Sequence, residues 1–254
     1  MRDASIFEFG GLDRNVRTFF SIRIGLSDEG DALDINAGVR LSGRAGDWNI
    51  GSLLVSQDVV AENADDNLFV GRVTRNIGEE LELGAIFTKG DPNSDLGNTL
   101  HGLDYTYRNS RVFGDQNLRG NIWFQETDTG GVNDNQSAFG ARLSYPNYTY
   151  DGFIDIRRIE SNFNPALGFK SRSGVEQFDS RLRRRFQLNN AKLNWLGVRG
   201  QYFRSKRIGG TLKADRKQFN FVEGLSKEND FFIFFVIDLN WRPNKHFFAS
   251  LGYE

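Results

Sequence analysis

The sequence predicts an all-β protein built from long antiparallel strands. Apolar and polar residues alternate residue by residue along nearly the whole chain, and no stretch shows the apolar stripe of a helix. The 254 residues include 28 Gly and 23 Phe but only 4 Pro and 1 Met, a mixture that favours strands and tight turns. The 32 basic and 33 acidic residues nearly cancel, so we expect no nucleic-acid partner.

The alternation predicts about fourteen strands, several of them long. They fall near residues 19–26, 33–43, 47–57, 67–76, 79–89, 98–108, 117–127, 136–145, 148–159, 175–187, 192–204, 210–223, 229–241 and 246–253. A run of about ten residues crosses a hydrocarbon layer when the strand is tilted, and the mean strand of soluble proteins is about half as long.

The predicted connections alternate between short and long. Short turns occur at 43–46, 77–78, 146–147, 189–190 and 225–227, whereas long polar loops occur at 58–66, 89–97, 128–135 and 160–174. The connection at 109–117 is long for its place among the turns. Barrels of the bacterial outer membrane have short periplasmic turns and long outer loops. The pattern therefore favours an antiparallel transmembrane β-barrel, or a large segment of one.

Position parity assigns each predicted strand two faces. Strands 79–89, 136–145 and 148–159 each place large apolar residues on one face and charged or small ones on the other. A soluble protein would bury the apolar face, whereas an outer-membrane barrel turns it towards lipid and lines a wet lumen with the polar face. The arginines of 175–187 favour the second arrangement, because a dry interior cannot hold unpaired charge. We expect an apolar exterior and a polar lumen, with a soluble all-β ligand-binding protein as the alternative.

Several segments, in order, are typical of one protein family. They are residues 19–25, 37–43 with 47–51, 84–88, 102–104 and 162–169. From about residue 6 to its end the chain resembles the outer-membrane barrel family called domain of unknown function 5916. Members typically carry a secretion signal and a carbohydrate-binding family 9-like domain ahead of the barrel. The resemblance implies that 1–18 leads in from a periplasmic domain missing here, and that 19–254 is a barrel truncated at its C-terminus.

Charged residues on the polar face of two neighbouring predicted strands are the candidate lumen lining. They are Arg157, Arg181, Arg183, Arg185, Asp151, Asp155 and Asp179. Arginines in a pore select anions, although ion pairing between strands is the alternative that we favour. Trp123 and Trp195 are of the type that stacks on sugar rings, but two aromatic side chains do not make a path for a sugar.

The long loop 160–174 is a second candidate site. Its candidate residues are Asn162, Phe163, Asn164, Pro165 and Phe169. A merely solvated outer loop has no need of Phe163, Leu167 and Phe169, so we expect these side chains to pack against the barrel rim. The alternatives are a constriction of the lumen or contact with a ligand.

Catalytic and metal-binding residues are scarce. The chain has 0 Cys and 2 His, which excludes disulfides, thiolate catalysis and Cys-based metal sites. By parity His101 faces away from Asp104, and His246 precedes two interfacial phenylalanines. Residues 91–97 resemble a calcium loop, but Gly102 stands where the bidentate Glu should be. We therefore predict no catalytic residue, cofactor or metal, and we expect Glu62, Asp65 and Asp66 to be solvated.

The sequence predicts a bacterial outer-membrane protein that passes a solute or captures a ligand at the cell surface. The family resemblance makes a saccharide the first expectation, and the arginines make a small anionic solute the second. The expected partners are the lipid bilayer and the outer-membrane assembly machinery. The enzymatic alternative is a membrane-embedded or membrane-anchored hydrolase.

Overall fold

The computed structural model describes residues 4–12, 16–27, 30–58, 67–94, 96–188, 193–210, 212–226, 232–241 and 248–252. Thirteen strands lie in these ranges. They are β1 (Ile35–Ala45), β2 (Trp48–Gln57), β3 (Asn67–Ile77), β4 (Leu81–Lys89), β5 (Asn98–Val112), β6 (Gln116–Thr129), β7 (Ser137–Pro146), β8 (Tyr150–Ile159), β9 (Val175–Gln187), β10 (Leu193–Arg207), β11 (Leu212–Ser226), β12 (Phe232–Trp241) and β13 (Phe248–Gly252). Short 3-10 helices span Ala4–Phe7 and Ser21–Arg23. Among the described residues, no helix is long and apolar enough to cross a bilayer.

The strands follow one another in chain order from β1 to β13 in an antiparallel sheet. The all-β prediction is therefore confirmed. Within the described strands no pairing joins β1 to β13, so the sheet that they form is not closed. That they are a segment of a transmembrane barrel stays a prediction. The alternation of short and long connections holds from β1 to β10, because β5 and β6 extend towards each other and leave only 113–115 as their turn.

The predicted strand at 19–26 is wrong. Ser21–Arg23 forms a 3-10 helix, and Gly25 has a φ of +75°, a left-handed conformation that ends any extended run. The backbone amide of Phe20 donates to the Leu167 carbonyl at 2.8 Å instead of joining a strand of the sheet. The alternation of apolar residues in 19–26 was strand-like, but contacts with a distant loop determine its conformation.

The described residues divide into two compact units. The first comprises Met1–Tyr107, Asn121–Gly140 and Arg158–Gly174. One face of its strands is exposed and apolar, with Leu103 63% and Ile122 58% exposed. The opposite face buries Arg72, Asp104 and Gln125 together with apolar side chains, among them Leu68 and Leu100. The faces therefore follow the predicted parity, but the covered face, called the polar face below, is mixed.

The second unit comprises Arg108–Gly120, Ala141–Arg157 and Val175–Glu254. Its exposed face also carries large apolar side chains, among them Leu143, Ile154 and Leu182. The aspartates of β7 to β10 and most of their arginines lie on the opposite face, whereas Arg184 and Arg204 lie on the exposed face. The described apolar residues of these strands do not gather in a dry core.

Candidate functional site: the polar face

Residues 4–12 and 16–27, here called the N-terminal segment, lie across the polar face of the first unit. The amide of Gly10 donates to Asp104 Oδ2 on β5 at 2.9 Å, and the amide of Gly25 donates to Gln57 Oε1 on β2 at 2.8 Å. Gln125 on β6 donates through Nε2 to the Val16 carbonyl at 3.0 Å. The segment is thus bonded to three different strands. The prediction that 1–18 leads in from another domain stays a prediction.

Gly10 shows how closely this segment approaches the sheet. Its φ is +60°, and a Cβ built on it would lie 2.8 Å from Trp123 Cβ. Both the positive φ and the lack of room for a Cβ atom favour glycine at this position. Trp123, a predicted sugar-stacking residue, is buried beneath the segment.

A buried ion pair between Arg72 and Asp104 anchors the segment, and the sequence analysis missed it. Arg72 Nη1 donates to Asp104 Oδ1 at 2.5 Å and Nη2 donates to Oδ2 at 2.9 Å, with the two side chains 1% and 4% exposed. The pair reaches across β4 at Gly84, where a Cβ would lie 2.4 Å from atoms of both side chains. The Phe9 ring lies 5.2 Å from the guanidinium carbon. Gly84 is paired with Thr74 on β3 and with Asp104 on β5, so Arg72 reaches Asp104 diagonally, and the alternation along the strands does not indicate this pair.

The loop 160–174 also packs on the polar face of the first unit. Phe163 and Leu167 are fully buried, as are Pro165 and Ala166 to within a few per cent. The amide of Asn164 donates to Thr127 Oγ1 at 3.2 Å, and Asn98 Nδ2 donates to the Asn164 carbonyl at 3.0 Å. These contacts lie at the ends of β5 and β6 nearest the long loops, so this part of the loop packs against those strand ends.

The two remaining candidates of this loop lie at its surface. Asn162 is exposed and donates to the Asp134 carbonyl at 2.8 Å, and Phe169 is also exposed. The Phe169 amide donates to the Arg17 carbonyl at 2.9 Å, which ties the loop to the N-terminal segment. Lys170 donates through Nζ to the Phe163 carbonyl, and burial lowers the pKa of Lys170.

The second unit carries what we call the arginine wall: Arg142, Arg157, Arg181, Arg183, Arg185 and Arg199 on the polar face of β7 to β10. Asp151 accepts hydrogen bonds from Arg181 at 2.9 Å and Arg183 at 3.4 Å. Asp155 accepts from Arg157 at 2.7 Å and 2.9 Å and from Arg142 at 3.4 Å. Ion pairing between strands, the alternative that we favoured, is therefore present.

Several residues of the arginine wall also contact aromatic rings. The guanidinium carbons of Arg142 and Arg181 lie 4.1 Å and 5.2 Å from the Phe153 ring centre. Arg185 lies 5.2 Å from the Trp195 ring centre and donates to the Tyr148 carbonyl at 3.2 Å. Trp195 therefore lies against a cation.

Two further polar residues complete this part of the polar face. Asp179 accepts from Gln201 at 3.4 Å. Arg199 stands directly opposite Arg183 in the pairing of β9 with β10. The seven predicted lumen-lining residues thus share one face of β8 and β9, and their role in lining a lumen stays a prediction.

No catalytic dyad forms around His101. The imidazole lies on the exposed face, with Nε2 3.4 Å from Glu126 Oε2, whereas Asp104 is buried on the other face. Among the described residues, no group of three His, Asp or Glu side chains could hold a metal ion. The predicted solvated residues Glu62, Asp65 and Asp66 lie outside the described residues, as does His246.

Comparisons with known proteins add one structural similarity. No family model matches the chain, and no curated protein matches it. The chain is similar in structure to OccAB2 of Acinetobacter baumannii, with a TM-score of 0.47 and 12% sequence identity. The similarity covers 82% of this chain and 62% of OccAB2, so the chain spans less than two thirds of the length of that protein. Membership of the family called domain of unknown function 5916 stays a prediction.

Proposed function

We propose that the chain forms part of a bacterial outer-membrane β-barrel that passes or captures a solute along its polar face. One observation carries the proposal: the exposed face of single strands is uncharged over a long stretch and charged at the end. On β6 this stretch is Leu118, Gly120, Ile122 and Phe124, followed by Glu126 and Asp128; on β10 it is Leu196, Val198, Gly200 and Tyr202, followed by Arg204 and Lys206. Each stretch runs about 20 Å, the scale of the apolar band of such barrels.

The exposed apolar residues argue against a soluble protein. Soluble monomers rarely expose contiguous apolar patches above about a few hundred Å². In the second unit, Leu143, Ile154, Leu182 and Val198 are each between 46% and 63% exposed on one face. A bilayer would cover these side chains. The resemblance to the family called domain of unknown function 5916 implies the same location and assembly by the outer-membrane machinery.

The arginine wall favours a small anionic solute. Among the described residues, its six guanidinium groups share the polar face of β7 to β10 with three carboxylates, those of Asp151, Asp155 and Asp179. Arg183 and Arg199 stand directly opposite each other, which concentrates positive charge at this point of the polar face. A row of guanidinium groups facing water selects anions. A saccharide has the weaker support, because Trp123 is buried and Trp195 stacks on Arg185.

Membrane location is tested by placing a charge on the exposed face. Ile122→Lys puts an ammonium group in the middle of the uncharged stretch of β6, and Phe113→Lys puts the same group in the turn before that strand, where Phe113 is 90% exposed. A lysine facing the bilayer midplane costs about 2–4 kcal/mol. We expect Ile122→Lys to lose heat-modifiable migration and outer-membrane recovery, and Phe113→Lys to keep both. Equal behaviour of the two variants would show that no bilayer covers β6.

Solute charge is tested in planar bilayers under a salt gradient. The reversal potential of the protein should indicate anion selectivity, and the triple variant Arg181→Gln, Arg183→Gln, Arg185→Gln should lose it. Arg184→Gln is the matched control, because Arg184 lies on the same strand but on the exposed face. Cation selectivity of the unmodified protein, or an equal loss with Arg184→Gln, would contradict the anionic solute.

A further inference from the structure

A separate cavity lies between the N-terminal segment and strands β1 and β2 of the first unit. Its volume is about 610 Å³, within the range of small-molecule sites. Most of its wall is apolar, with Phe7, Phe19 and Phe20 contributing rings. Phe7 and Phe19 pack edge to face with their ring centres 5.3 Å apart, which gives the cavity a rigid aromatic side.

Two arginines line the same cavity, and each lies over an aromatic ring. The guanidinium carbon of Arg17 is 5.3 Å from the Phe20 ring centre, and that of Arg40 is 5.9 Å from the Phe7 ring centre. Stacking uses the flat face of a guanidinium, whose N–H donors lie at its edge. Glu8 is the one carboxylate of the described lining, and both Glu8 and Arg40 are exposed. With two guanidinium groups and one carboxylate, the described lining carries a net positive charge.

Thr18 gives the cavity a buried polar group. The residue lines the cavity and is 2% exposed. Its hydroxyl oxygen has no hydrogen-bond partner among the described residues. Buried hydroxyl groups in folded proteins are paired, so an unpaired one beside a cavity points to an absent hydrogen-bonding partner. A ligand oxygen in the cavity would supply that partner.

We propose that this cavity binds a small amphiphilic anion, with an apolar ring or short chain against the phenylalanines and one carboxylate towards Arg17, Arg40 and Thr18. The apolar part of the ligand is inferred from the aromatic wall, because burying apolar ligand surface against the phenylalanines favours binding. The net charge explains the anion, because guanidinium groups form charge-assisted hydrogen bonds with carboxylates. The site is independent of the arginine wall, since the two lie in different units.

Titration calorimetry on the purified full chain in detergent micelles tests the proposal, with empty micelles as the blank. The probes are 2-naphthoate, its uncharged counterpart 2-naphthamide, and octanoate. We expect at least one carboxylate to bind, and the amide to bind about tenfold more weakly than naphthoate if the ring is accepted. Comparing the affinity for 2-naphthoate with that for octanoate shows whether the cavity prefers a ring or a chain. Failure of both carboxylates to bind, or equal binding of naphthoate and naphthamide, would overturn the proposal.

Variants locate the binding. Arg40→Gln should weaken carboxylate binding about tenfold and Thr18→Val about fivefold, whereas Thr18→Ser keeps the hydroxyl and should retain it. Arg44→Gln is the control, because Arg44 is on the same strand and face as Arg40 but outside the cavity lining. Circular dichroism checks that each variant keeps its strands. If Thr18→Val does not fold, the test is the comparison of Arg40→Gln with Arg44→Gln. Unchanged binding in Arg40→Gln would overturn the site, whatever the outcome of the membrane tests.

Discussion

Removing the Asp104 carboxylate should destabilise the protein far more than removing a carboxylate from the surface. Asp104→Ala leaves the Arg72 guanidinium buried, with 1% of that side chain exposed, and leaves the Gly10 amide without its acceptor. Breaking a buried pair by removing one partner costs about 3–5 kcal/mol, which is roughly a hundredfold to a few thousandfold in the unfolding equilibrium. The N-terminal segment should detach first, because its anchor on β5 is gone.

Two further variants show whether the buried charge is the cause. Glu176→Gln removes the carboxylate of the Lys206 pair at 2.8 Å, whose side chains are 31% and 43% exposed, and should cost below about 1 kcal/mol. Asp104→Leu combined with Arg72→Met leaves no charge behind, so it should cost less than Asp104→Ala alone.

The assays are denaturant unfolding in detergent micelles, followed by tryptophan fluorescence, and amide hydrogen exchange of residues 6–12. We expect Asp104→Ala to lower the unfolding midpoint and to raise exchange in that range, whereas Glu176→Gln should do neither. An Asp104→Ala variant as stable as Glu176→Gln would show that the buried pair does not stabilise the fold. A double variant no more stable than the single one would show that the orphaned charge is not the cause.

Three further results are expected. Gly84→Ala should destabilise by about 1–3 kcal/mol because its methyl group meets the buried ion pair, while Gly43→Ala, with open space around it, should be nearly neutral in the same unfolding assay. Asn98→Ala should expose the loop 160–174 to protease, because it removes the donor to the Asn164 carbonyl. Burial lowers the pKa of Lys170 in the folded chain below its ordinary value of 10.5. At pH values between the lowered pKa and 10.5, the unfolded chain therefore holds a proton that the folded loop has released. The free energy of unfolding should therefore rise with pH across that window and stay flat below it, and Lys170→Met should abolish the rise in an alkaline unfolding series.

Strand positions were predictable because the alternation of side chains is local. The strand predicted at 175–187 coincides with β9, and the strand predicted at 33–43 overlaps β1 with both ends shifted by two residues. The faces followed as well, because successive side chains of a strand point to opposite sides wherever the strand lies. The strand expected at 19–26 failed for the converse reason, since its alternation was local but its partner was Leu167.

The candidate site was predictable only in part. Parity placed Asp151, Arg181 and Arg183 on one face, and their ion pairs form between adjacent strands, as expected. Neither Arg72 nor the cavity beside Thr18 could be found in this way. The Arg72 pair joins β3 to β5 across β4, and the cavity forms only where the N-terminal segment folds back over β1 and β2.

The amino-acid sequence alone determined most of the strands, the order of short and long connections from β1 to β10, and which side chains share a face. These features depend on neighbours within a few residues, where backbone geometry and side-chain alternation act. The tertiary structure alone decided what covers the polar face, because the contact of Gly10 with Asp104 joins residues 94 positions apart. Such a contact depends on the free energy of burying a particular pair of surfaces, and no local pattern along the chain encodes it.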